Sequence, residues 1–212
     1  MSKKYIVFDL DDTLYYEIDY LKSAYQEIAT SVSEKDSPSI YAQMLDLYTQ
    51  KKDVFEFLSL KYDLDKASLL KTYREHFPHI TLRNGVKQVL EFLKTQNVKM
   101  GLLTDGRSQT QRNKIKALDI EHYFDKIIIS EEIGTEKPHP QNYKAFIDTA
   151  KSYFYIADNP NKDFITPNLL GWHTIMIEDE QQQKIHACKE NLTPDYKAQK
   201  KSTWEGLFKL IN

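Results

Sequence analysis

The chain has 212 residues, with 29 lysines and arginines against 31 aspartates and glutamates, a net charge of −2. That balance supplies no long-range attraction to nucleic acid or to an anionic membrane surface, and no apolar run is long enough to span a bilayer. The single cysteine, Cys188, excludes an internal disulfide, and Met1-Ser2-Lys3-Lys4 runs straight into a strand-like segment with no room for a signal peptide, so a cytoplasmic setting is expected.

Tyr5 to Phe8 is a short apolar run bounded by polar residues, the pattern of a strand buried on both faces. From Tyr16 to about Arg83 there is no strand pattern. Four amphipathic helix patterns stand there instead: Asp19 to Ser33, Pro38 to Tyr48, Val54 to Tyr62 and Asp65 to Phe77. Pro38 suits a first helical turn and Asp65 an N-cap. Beyond this stretch the elements alternate. Helices are predicted over Asn84 to Thr95, Gln109 to Leu118, Gln141 to Lys151 and Asp163 to Leu170, and strands over Lys99 to Leu103, Ile127 to Ile129, Tyr153 to Ala157 and His173 to Ile177. Gln181 to Lys201 is polar, charged and without a clear pattern, and Trp204 to Ile211 reads as a final helix. Alternation of this kind predicts an α/β fold, a Rossmann-like parallel sheet flanked by helices and joined by right-handed crossovers. The expected core comprises residues 1–15 and 84–212, with residues 16–83 forming a small all-helical domain inserted after the first strand.

Chemistry-bearing residues gather at the predicted strand ends. Asp9 and Asp11 follow the first strand, and alternation along an extended chain points both the same way. Two such carboxylates repel unless a cation or proton neutralises them. Open parallel sheets bind ligands at these strand ends. Thr104-Asp105-Gly106 ends the second strand, where a hydroxyl and turn amides can cradle phosphate oxygens. Lys137, in Glu136-Lys137-Pro138-His139-Pro140, can supply fixed positive charge. Asp158 follows the fourth strand and Asp163 lies shortly after it; their oxygens suit a hard cation such as Mg²⁺. Taken singly, each of these is also an ordinary turn, cap or surface residue. The six histidines show no zinc-ligand spacing. Tyr15, Tyr16 and Tyr20 suit packing where the chain leaves the core as well as contact with a substrate, Arg107 reads as solvated or capping, Asp12 as structural and Cys188 as buried or inert.

Taken together and in order, these clusters resemble the haloacid dehalogenase superfamily, specifically its phosphatase branch, and the helical insert resembles that family's mobile cap. The resemblance implies that Asp9 is the nucleophile, Asp11 the general acid/base, Thr104 the phosphate-binding hydroxyl and Lys137 the positioning cation, with Asp105 and Gly106 in the phosphate turn. It also implies Mg²⁺ held by Asp9, Asp11 (through its backbone carbonyl), Asp158 and Asp163. Ala157 departs from the glycine usual in the family at that strand end. The implied reaction is hydrolysis of a small phosphorylated metabolite, a sugar phosphate or nucleotide, through an aspartyl-phosphate. Asp11 is expected to be protonated for the first step, favoured by a nearby anionic carboxylate and by cap closure. A phosphomutase of the same superfamily and a non-catalytic binding module are the alternatives. A carbon–halogen hydrolase would leave Asp11 and the metal set superfluous, and a phosphonate hydrolase would need a cap lysine forming a Schiff base.

Overall fold

The apolar run at Lys4–Phe8 forms strand β1, and its period-two alternation sends Ile6 and Phe8 to one face and Tyr5 and Val7 to the other. Both faces are buried, which is why the strand is apolar throughout. The computed structural model describes residues 4–150, 152–178 and 193–211. Cys188, His186 and most of the polar stretch after Gln181 lie outside them. Five further strands follow: β2 at Lys99–Thr104, β3 at Lys126–Ile129, β4 at Ser152–Ala157, β5 at His173–Ile177 and β6 at Lys200–Ser202. They form one parallel sheet in the order β3-β2-β1-β4-β5-β6. Chain direction across the sheet reverses at β1, so the switch point lies between β1 and β4.

Helices α1 (Glu17–Val32), α2 (Ser37–Thr49), α3 (Val54–Tyr62) and α4 (Lys66–Glu75) fill the segment between β1 and β2 without a strand among them. They share a hydrophobic cluster of their own, including Tyr25, Ile28, Ile40, Met44, Leu58 and Leu69. The Asp53 carboxylate caps α3 through the Glu56 N–H, and Asp65 caps α4 through the Ala67 and Ser68 N–H groups. The returning chain is pinned to α1: the His76 ring pairs with Glu27 through Nδ1 and with Ser23 Oγ through Nε2 at 2.7 Å. Buried Arg83 closes the neck, donating to the carbonyls of Asp12 at 2.8 Å and Glu178 at 2.7 Å, with its guanidinium 4.6 Å from the Tyr16 ring centroid.

One sheet face is covered by α5 (Val86–Thr95), whose Val86, Val89, Leu90 and Leu93 fall on one helical stripe. Ile115 of α6 (Ser108–Ala117) and Trp204, Leu207 and Ile211 of α10 (Trp204–Ile211) complete that layer. The other face packs against Tyr143, Phe146, Phe164 and Trp172, on and around the short helices α7 (Ser130–Ile133), α8 (Pro140–Lys144) and α9 (Ile165–Leu169).

The elements differ from the sequence expectation in several places, the short α7 among them. The helix predicted over Gln141 to Lys151 stops at Lys144, because Phe146 turns in against Tyr5 and Asp148 bonds Lys99 and the Ala150 N–H. Asp163 stands outside α9; its carboxylate accepts from the Asn159 N–H within the preceding loop. Strand β6 is polar and short, an edge strand with Lys200 and Lys201 exposed, so it has no apolar signature.

Gly101 marks a close approach on β2. A Cβ there would lie 2.5 Å from Phe146 Cε1 and 3.3 Å from Tyr5 Cε2. Gly101→Ala is therefore expected to destabilise the protein by about 1–3 kcal/mol through overpacking. Urea unfolding would check it; an unchanged midpoint would contradict this packing.

Candidate active site

Strand β1 delivers Asp9 to the switch point, where its N–H donates to the Ile156 carbonyl of β4 at 2.9 Å. The two carboxylate oxygens are divided: Oδ1 lies 2.6 Å from Lys137 Nζ, and Oδ2 lies 3.0 Å from the Thr13 hydroxyl. The Thr13 hydroxyl is also 3.3 Å from Asp158 Oδ1, at the end of β4. Lys137 Nζ reaches Asp163 Oδ1 at 2.8 Å, and the Tyr155 hydroxyl lies 3.3 Å from the same oxygen. Asp9, Asp158, Asp163 and Lys137 are all buried. Four of the sequence-predicted residues are thus in one place.

This cluster is electrically lopsided. One oxygen each from Asp9, Asp158 and Asp163 lies within 4.8 Å of the others, and the buried Lys137 supplies one ammonium among three carboxylates. Burial pushes the Asp9 carboxyl up to about 6; Lys137 opposes that rise and Asp163 adds to it. Burial alone would lower Lys137, but Asp163 and Asp9 outweigh it and hold the ammonium charged. A dry set of oxygen donors with uncompensated negative charge fits a hard divalent cation.

The second cluster is organised differently from its sequence reading. Thr104 Oγ1 lies 2.5 Å from Gln111 Nε2. The Asp105 carboxylate braces the neighbourhood, accepting from the Lys137 N–H at 3.0 Å and from Lys162 Nζ at 3.0 Å. The Gly106 N–H donates to Ser130 Oγ at 2.9 Å, so this amide is engaged within the fold.

Strand β1 ends at Phe8 and Asp12 adopts a φ of 54°, and Asp11 lines the same small cavity as Asp9. The Asp11 carboxylate turns to α6: Oδ1 accepts from Lys114 Nζ at 2.6 Å and from the Tyr15 hydroxyl at 2.5 Å, and Oδ2 from Gln111 Nε2 at 2.8 Å. Burial would raise this carboxyl, but the Lys114 charge and the three hydrogen bonds outweigh it and hold it below the usual carboxylate range. In this arrangement the carboxylate form is favoured, while the protonated form is the one the first step needs with substrate bound.

Asp9, Asp11, Asp105 and Asp158 meet Glu17, Asn159 and Lys162 around a partly open cavity of about 80 Å³. A larger groove, about 910 Å³, lies between α1 and residues 76–81 and holds none of the clustered carboxylates. The chemistry selects the smaller cavity. Sequence reasoning missed Thr13, Gln111, Lys114 and Lys162. A signal for two of them was present: Gln111 and Lys114 share a helical face with Ile115 and Leu118, so polar groups there must be buried and partnered. Arg107 is an exposed partner of Glu131, and Asp12 accepts from the Glu17 N–H at the start of α1.

Residues 6–193 match the haloacid dehalogenase-like hydrolase family. The chain belongs to that family. It is 26% identical over 217 residues to the glyceraldehyde 3-phosphate phosphatase of Methanopyrus kandleri, covering 91% of each chain. It is 29% identical over 208 residues to the protein of the same name from Methanocaldococcus jannaschii, covering 82% of this chain and 84% of that one. Among solved structures, the magnesium-bound HAD-hydrolase YfnB of Bacillus subtilis superposes with a TM-score of 0.70 at 19% identity, covering 100% of both chains. That hydrolase shares the fold. Among the described residues, no helix is long and apolar enough to cross a membrane.

The raised Asp9 carboxyl has a consequence for stability. Folding favours its protonated form, so in chelator the stability falls as pH rises from about 4, the unfolded value, through about 6, the folded one. Asp9→Asn removes this titration, so the decline in stability between about pH 4 and pH 6 is expected to be smaller in the variant than in wild type. Denaturant unfolding in EDTA across pH 4–8 checks this; a pH-independent difference would contradict it.

Proposed function

We propose that this protein is a Mg²⁺-dependent phosphatase of small phosphorylated sugars, with Asp9 as the nucleophile. One observation carries the reading: three buried carboxylates and one lysine converge at the switch point of a parallel sheet. The phosphatase names of its relatives support it. The small cavity that these carboxylates line has the room for a phosphoryl group beside them.

Asp9, Asp158 and Asp163 would hold the metal, together with the Asp11 backbone carbonyl. When bound, Mg²⁺ supplies the positive charge that lets an anionic carboxylate approach a dianionic ester. Lys137 favours the ionised form of Asp9 against the effect of burial and orients it. The Thr104 hydroxyl and Lys162, whose side chain lines the cavity, hold phosphoryl oxygens as charge spreads over them. Asp9 attacks phosphorus, the ester P–O bond breaks, and the phosphoryl group rests on the Asp9 carboxylate. Asp11 gives a proton to the departing alkoxide and then takes one from the water that hydrolyses the aspartyl-phosphate. Because Lys114 favours the Asp11 carboxylate, the acid step requires the substrate complex to weaken that contact and load a proton. Residues 16–83 act as the cap that closes over this chemistry, with Glu17 its contribution to the cavity lining.

Wild-type protein is expected to release phosphate from triose and hexose phosphates faster than from nucleotides, with EDTA abolishing turnover and Mg²⁺ restoring it. Asp9→Asn should lower turnover by more than about 10³-fold without loss of fold, the scale for losing a nucleophile. Asp11→Asn should slow alkyl phosphates more than activated aryl phosphates. Appreciable turnover by the Asp9 variant, or equal losses on both ester types, would overturn the corresponding role.

A further inference from the structure

Among the described residues, seven line the small cavity, and six of them belong to the loops that follow β1, β2 and β4. The seventh is Glu17, the first residue of α1 and the helical segment's contribution to that lining. Its backbone holds it there. The Glu17 N–H donates to Asp12 Oδ1 at 2.9 Å, and Asp12 is buried in the loop that carries Asp9 and Asp11. The Asp19 N–H donates to the Tyr16 carbonyl at 2.9 Å, and the Arg83 guanidinium lies 4.6 Å from the Tyr16 ring centroid. Polar bonds thus anchor the start of α1 to the loop of the nucleophile, and Glu17 keeps its place beside the cavity.

Displacement at phosphorus runs roughly in line, so the leaving oxygen departs on the side away from the attacking carboxylate. Asp9 attacks from a strand end. The organic part of the ester is then turned away from the strand ends, toward the wall that α1 supplies. The phosphoryl group is common to every phosphate ester, whereas the charge of the leaving group differs from one ester to the next. A carboxylate facing that group accepts hydrogen bonds from hydroxyl and ammonium donors and repels a second carboxylate. The rest of the lining reinforces the repulsion, since it brings four aspartates and one lysine, and that lysine, Lys162, is paired with Asp105 at 3.0 Å.

We infer that Glu17 is a specificity-determining residue of the leaving-group side: it admits phosphate esters of neutral polyols and of amino alcohols and rejects esters whose leaving group carries a carboxylate. This rests on the phosphatase reading and deepens it. Glu17 takes no part in breaking the P–O bond; it sorts substrates by the charge of what leaves.

Three esters of similar size separate the charge states: glycerol 3-phosphate with a neutral leaving group, phosphoethanolamine with a cationic one and 3-phosphoglycerate with an anionic one. The measurement is kcat/KM on each for Mg²⁺-loaded wild type, Glu17→Gln and Glu17→Lys, with melting temperatures recorded alongside. Wild type is expected to favour the first two esters over 3-phosphoglycerate by about tenfold or more, the scale of two like charges several ångströms apart at a protein surface. Glu17→Gln is expected to raise kcat/KM on 3-phosphoglycerate by about threefold or more and to lower it on phosphoethanolamine, and Glu17→Lys to reverse the order of the two. A gain on one substrate does not arise from a damaged fold, so it separates the role from a loss of stability. Changes by the same factor on all three esters, or wild type that hydrolyses 3-phosphoglycerate as fast as glycerol 3-phosphate, overturn the inference and leave the phosphatase reading standing. Wild type that hydrolyses none of the three, and no activated aryl phosphate, overturns both.

Discussion

Three carboxylates share a dry pocket with one buried ammonium, and much of the architecture around the strand ends is explained by the repulsion left over. Isolated buried charge is among the most unfavourable arrangements a protein can hold, and it persists only where partners are fixed in place. The sheet does that fixing. Asp9 and Asp158 leave adjacent strands, β1 and β4, held in register from Lys4 to Phe8 against Ser152 to Ile156. Lys137 is immobilised at both ends, by the Asp105 carboxylate at its N–H and by Asp9 and Asp163 at its ammonium. Thr13 spends its hydroxyl between Asp9 and Asp158. Each contact softens the repulsion, and burial, with Asp163 adding to it, leaves Asp9 with a raised proton affinity. The site is a place where stability is given up, as expected of a centre built to receive a cation and an anionic ligand.

The sequence displayed the sheet and most of the carboxylate cluster because both rest on local, periodic signals. Apolar runs such as Tyr5 to Phe8 and Tyr153 to Ala157 are buried on both faces, and the aspartates that end them are one residue from the last buried position. What stayed hidden depends on contacts distant in sequence. Asp11 shares the cavity with Asp9, but its bond to Lys114, about a hundred residues away, has no local signal in the sequence. The helix expected to continue through Phe146 ends early because that ring is worth more against Tyr5 and over Gly101 than in another helical turn. The edge strand β6 has no apolar code to read, since its lysines face solvent and only Ser202 is buried. Local pattern specifies elements, whereas tertiary partners decide where elements end and which way a polar side chain turns.

The neck between the helical segment and the sheet is held by polar bonds to backbone rather than by apolar packing alone. Arg83 bonds the carbonyls of Asp12 and Glu178, its own N–H donates to the Leu14 carbonyl, and Trp204 Nε1 donates to the Thr13 carbonyl at 3.2 Å. These bonds fix the loop that carries Asp9, Asp11 and Thr13 while leaving their side chains to the cavity and to α6. Such directional bonds set orientation more sharply than hydrophobic contact does, because their strength falls steeply with angle.

Helix α6 joins these two regions residue by residue. Thr110 and Asn113 hold the carbonyls of Arg74, Glu75 and His76 at the end of α4, while Gln111 and Lys114 on the adjoining side hold Thr104 and Asp11. Both sets sit within two turns of one helix, so the spacing between the end of the helical segment and the Asp11 carboxylate is set by helical geometry and not by a loop. Ile115 locks the same helix into the core below. A shift of α4 relative to the sheet must therefore either break the Thr110 and Asn113 bonds or carry α6, and with it the two donors on Asp11. Because hydrogen bonds are short-ranged, a displacement of even one ångström is enough to release them.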